Sequence, residues 1–173
     1  NAETLEDLLI FNAMAIGISV FWAMNLVLMI WFMRQKTGDD LLKRGVIWGF
    51  ISALSGMLVG FLMSIPSEMQ LAALQSGQQI ALMGSHTVGA PDGGTGLPFL
   101  NWSITFGDLR VAHFIGIHAI QILPLFAIWM SERELMARIE AMRKINLAGI
   151  GYLALFSLSV WQALKQESIT QHS

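Results

Sequence analysis

Three histidines, a glutamine, two aspartates and an arginine are the side chains of this 173-residue chain best suited to chemistry, and all lie between His86 and Gln121. His86, Asp92, Asp108 and Arg110 border a glycine-rich polar stretch, whereas His113, His118 and Gln121 follow inside an apolar run. Imidazole nitrogens with a carboxylate suit zinc, copper, nickel or iron, and histidine is a usual axial ligand of haem iron. His86 and His113 are therefore the candidate ligands of a metal ion or haem b, with Asp92, Asp108 and Arg110 as auxiliary groups. His113 and His118 are five residues apart, about 140° around a helix, so they point to different sides and cannot chelate one ion together. His118 and Gln121, at i and i+3, do share a face and form a deeper polar pair. The absence of cysteine excludes disulfides, iron–sulfur clusters and thiolate zinc sites. Ser85 beside His86 shows no base-orienting third group, so no catalytic nucleophile is assigned.

The elements that must hold these residues are read from hydrophobicity. Hydrophobic residues make up 54% of the chain and charged ones 13%, where a soluble domain carries roughly 25% charge. Four segments, about 8–33, 46–65, 111–130 and 145–164, approach or exceed the roughly 20 apolar residues that cross a hydrocarbon core of about 30 Å. The expected fold is an all-α integral membrane protein: a single four-transmembrane-helix bundle with a structured outward-facing loop between helices 2 and 3. A net charge of −2 with no basic aromatic patch gives no reason to expect nucleic acid as a partner.

Eight of the ten basic residues lie in two stretches, Arg34 to Arg44 and Arg133 to Lys144. The positive-inside rule puts these connections, 34–45 and 131–144, in the cytoplasm. Both termini and the 66–110 cap then face outward, which for a bacterial cytoplasmic (inner) membrane is the periplasmic side. Ser131 and Glu134 have capping-box spacing, and Glu134/Arg138 and Glu140/Lys144 have i,i+4 spacing; 131–144 is expected to form a separate charged helix on the membrane surface.

Within the cap, Ser67 and Gln70 predict a short capped helix that Gly77 stops. From Ser85 to Ser103 glycines and prolines allow tight turns, while Val88, Leu97, Phe99, Leu100 and Trp102 need something to pack on, so a folded cap is expected. Asp108 is a natural N-cap for the third span. Pro124 deprives the carbonyl of Ile120 of its helical partner. On the second span Ser52, Gly56 and Gly60 form one row of small residues and Gly45, Gly49 and Ala53 another. Such rows let a second backbone approach closely, either within the bundle or in self-association through this helix.

The segment from His86 to Gln121, with His-Thr-Val-Gly, Pro-Asp-Gly-Gly, Gly-Leu-Pro, Asn-Trp-Ser, Gly-Asp-Leu-Arg and Ala-His-Phe-Ile-Gly-Ile-His-Ala-Ile-Gln, resembles a segment of small, uncharacterised bacterial inner-membrane proteins. The resemblance implies a membrane location and no activity, cofactor or catalytic residue.

Two functional expectations follow. One is a metal- or haem-binding pocket at the periplasmic side, where the cap meets the third span, serving electron transfer. The other is a non-catalytic accessory or scaffold subunit whose partners, besides the lipid bilayer, are other membrane subunits. A small transporter is the third expectation and requires a watered path to His118.

Overall fold

The computed structural model describes residues 5–36, 38–78, 83–133 and 137–167. Its elements are α1 (Leu5–Arg34), α2 (Asp40–Met63), α3 (Glu68–Gln75), β1 (Thr87–Val88), β2 (Gly107–Asp108), α4 (Leu109–Ser131) and α5 (Arg138–Leu164). Helices α1, α2, α4 and α5 are long and apolar enough to cross a membrane, so the four expected spans are present in a helical bundle consistent with a membrane protein.

The helices extend past their apolar runs because charge alone does not end a helix. α2 starts at Asp40, where the Asp39 side chain accepts the Leu41 N–H at 3.0 Å, just after Gly38 at φ 113°. The separate surface helix expected over 131–144 is not formed. Ser131 closes the last turn of α4, and Arg138 to Lys144 are the opening turns of α5, continuous with its apolar part. No glycine or proline separates Arg138 from Ile145, so nothing interrupts the helix there. The Glu140–Lys144 pair does form, at 2.9 Å. The pairings expected of Glu134 lie outside the described residues.

α2 and α4 pack backbone to backbone. A Cβ placed on Gly45 would lie 2.7 Å from the carbonyl oxygen of Leu123, one on Gly49 3.1 Å from that of Ala119, and one on Gly56 2.7 Å from the Cα of Gly116. Gly60 faces the ring of His113, and Ser52 and Ala53 are buried. The small-residue rows of α2 are thus used inside the chain. α4 runs unbroken through Pro124, whose Cδ lies against Gly49.

Polar ties between helices reinforce this packing. Trp48 Nε1 donates to Asn146 Oδ1 at 3.1 Å, and its ring covers Gly149. The Tyr152 hydroxyl donates to the Ile115 carbonyl at 2.7 Å. α1 joins the bundle chiefly along α2, where Trp22 Nε1 donates to the Leu54 carbonyl at 3.2 Å.

Candidate functional site

The segment between α2 and α4 is a folded cap seated on the helix ends. The expected capping box closes α3: Ser67 Oγ accepts from Gln70 N, and Gln70 Oε1 accepts from Ser67 N. The same Gln70 amide donates to the Gly84 carbonyl at 2.8 Å and accepts the Gly84 N–H at 3.2 Å. Ser85 N donates to Met63 O, returning the chain to the end of α2. β1 then pairs antiparallel with β2, setting Thr87 opposite Asp108, and Gly107 presses on the backbone of Ala163 at the end of α5.

Two carboxylates organise the centre of this cap. Asp108, 4% exposed, caps α4 by accepting from Arg110 N at 3.0 Å and ties the preceding loop to it by accepting from Ser103 N at 2.8 Å. Its other contacts are Arg110 Nη2 at 2.7 Å and Nε at 3.0 Å, and the guanidinium also donates to the Asn101 carbonyl. Asp92 accepts from Thr87 N at 2.8 Å, Ser85 Oγ at 3.0 Å and His86 N at 3.2 Å. Burial pushes both carboxyls up, but these hydrogen bonds, with Arg110 beside Asp108, hold each below the ordinary aspartate range.

His86 joins the two: its Nδ1 lies 3.3 Å from Asp92 Oδ1, 3.8 Å from Asp108 Oδ1 and 3.2 Å from Thr87 Oγ1. Its carbonyl accepts from Leu109 N at 2.9 Å. Beside it is a cavity of about 50 Å³ whose lining includes His86, Gly93, Gly94, Ser103 and Arg110. That is room for a small number of waters.

The structure brings together His86, Asp92, Asp108 and Arg110, and leaves out His113. Carbonyl oxygens only accept, so the His113 Nδ1–H donates to Gly56 O across the α2–α4 seam, at 2.8 Å. Among the described residues no contact joins His86 to His113, and no three His, Asp or Glu side chains are placed to hold a metal ion. The pairing of these two histidines around one ion is therefore not formed, because the imidazole of His113 is turned into a helix seam instead of towards the cap.

His118 and Gln121 lie further along α4 than the cap, on one face of the helix. The His118 Nδ1–H donates to its own helix at Phe114 O, 2.8 Å away, and its ring lies 4.0 Å from that of Phe114, which in turn meets Trp102 of the cap edge-on at 5.5 Å. Gln121 is exposed, and its side chain has no hydrogen-bond partner among the described residues. With Ile122 and Leu125, 48% and 63% exposed, these residues make a face of α4 turned away from α2 and α5. The contributions of Ser85, Thr87 and Ser103 to the cap, and the Trp102–Phe114–His118 ladder, were not anticipated from sequence. Only the i,i+4 spacing of Phe114 and His118 hinted at the ladder.

No protein-family model matches this chain, and neither the curated proteins nor the solved structures contain a significant match.

Proposed function

We propose that this protein is a non-catalytic assembly subunit of a membrane complex, and that α4 receives another transmembrane helix on the face carrying His118 and Gln121. The carrying observation is the outward position of this polar pair. His118 lies about 13 Å along the helix from Leu109, near the middle of a core about 30 Å thick. Polar side chains at such depth are rare facing lipid and normally meet protein or a watered cavity. The Nδ1–H of His118 is already engaged, so Nε2 is left as an acceptor, and Gln121 offers both a donor and an acceptor. A partner helix with a hydroxyl or carboxamide at that level would satisfy both residues.

The orientation belongs to the same reading: a bacterial cytoplasmic membrane, both termini and the cap outward, basic connections inside. The clustering of lysine and arginine supports it. The metal or haem reading has less support, since the cap's carboxylates are engaged by their own loop and His113 by Gly56. The transporter reading has none beyond His118 itself.

The test is particle size in mild detergent. Changing His118→Leu together with Gln121→Leu should leave helicity and thermal stability intact and release the chain from a larger particle. A wild-type protein that migrates alone, like the double variant, contradicts the proposal.

A further inference from the structure

At the end of the bundle opposite the cap, α4 and α5 leave a lateral groove of about 470 Å³ lined by Phe126, Trp129, Met130, Arg133, Lys144 and Leu147. Its chemistry is divided. Phe126 and Trp129, with ring centroids 5.7 Å apart, form an apolar wall with Met130 and Leu147. Arg133 and Lys144 supply two cations. The Arg133 guanidinium is held 4.3 Å from the centroid of the Trp129 ring, and it has no carboxylate partner among the described residues. Lys144 has one exposed partner, Glu140, an i,i+4 pair of the weak surface kind that a stronger anion can displace.

Helix length sets the level of these charges. The 27 residues of α5 span about 40 Å, some 10 Å more than the hydrocarbon core. The turns from Arg138 to Lys144 therefore lie at the headgroup level, and the apolar run begins with Ile145. Trp129 and Arg133 flank the end of α4, where an aromatic and a cation also suit an interface.

We propose that this groove is a binding site for an anionic phospholipid, with the phosphodiester between Arg133 and Lys144 and an acyl chain along Phe126, Met130 and Leu147. Charge complementarity selects the occupant: two cations over an apolar floor fit a molecule that is anionic at one end and hydrocarbon at the other. The site is independent of the α4 face proposed above for assembly.

Native mass spectrometry of the whole protein, released from bilayers of mixed phosphatidylglycerol and phosphatidylcholine, tests it. The wild type should retain phosphatidylglycerol preferentially. Arg133→Gln with Lys144→Gln should weaken that retention roughly thirtyfold, from two basic contacts at the bilayer surface. Lys165→Gln, which removes the comparable cation stacked on Trp161 at the other end of α5, should leave it unchanged. Equal retention of both lipids, or an unaltered preference in the double variant, would overturn the proposal. Displacement of the lipid by millimolar inorganic phosphate would overturn it in favour of a soluble anion.

Discussion

Gly56 of α2 and Gly116 of α4 meet with no side chain between them: a Cβ on Gly56 would lie 2.7 Å from the Cα of Gly116 and 2.8 Å from its carbonyl carbon. Here the helices approach closely enough for the Gly56 carbonyl to accept from His113. Gly56→Ala should therefore cost more than the usual helix-propensity gain returns, about 1–3 kcal/mol net, because backbone and not a flexible side chain must move. Unfolding in detergent, followed by far-UV circular dichroism, measures it; an alanine variant as stable as the wild type would mean that the seam is looser than described.

Asp108 joins three elements, and removing it should loosen the cap before the bundle. Asp108→Ala deletes the cap of α4 and leaves the Ser103 N–H and the Arg110 guanidinium without their main partner, a loss of about 2 kcal/mol. Protease cleavage within 83–108 should accelerate by more than tenfold while helicity is largely kept. Simultaneous loss of both would show that cap and bundle unfold as one unit.

Acid should act on the same knot. Asp92 and Asp108 have carboxyls held below the ordinary aspartate range in the folded chain by their hydrogen bonds and, for Asp108, by Arg110. A lowered folded value means that their stabilisation is fully present above about pH 4 and is lost as pH falls through the lowered value. The cap should thus resist protease unchanged from pH 7 to 5 and open below about pH 4. Asp92→Asn should flatten part of that dependence, and opening between pH 5 and 7 would contradict the account.

Ser52 is fully buried, and its hydroxyl has no hydrogen-bond partner among the described residues. Ser55 and Ser64, on the same helix, return their hydroxyls to carbonyls one turn back. A buried unpaired hydroxyl costs about 1–3 kcal/mol, so Ser52→Ala should raise the melting temperature. A drop would reveal an internal water or a rotated side chain bonding to it.

Much of this architecture was legible from local chemistry. Apolar runs marked the spans by their length, and Ser67 with Gln70 marked α3 and Asp108 the start of α4, because a cap depends on neighbours within four residues. The joining of Arg138–Lys144 to α5 was hidden, since a charged stretch beside an apolar one looks like a boundary when only hydropathy is read. The cap's backbone was partly hidden as well. Gly89 and Gly93 adopt positive φ as their type allows, but so do Phe99 at 67° and Asn101 at 52°, in a turn tied by Leu97 N to Trp102 O and Asn101 N to Leu97 O. The candidate site was half legible. Sequence placed His86, Asp92, Asp108 and Arg110 in one region, but depth alone could not tell whether His113 faced the cap or α2. It likewise could not tell which way the shared face of His118 and Gln121 points, which depends on the glycines that turn the opposite side of α4 towards α2.

A photoreactive benzoylphenylalanine in place of Leu125, on the His118–Gln121 face, tests the proposed docking of a partner helix most directly when irradiated in intact cells at native expression. Leu158 of α5, 61% exposed against 63% for Leu125, serves as the reference position. The proposal predicts a discrete polypeptide adduct from position 125 and only lipid adducts from position 158. Lipid adducts alone at both positions would contradict it.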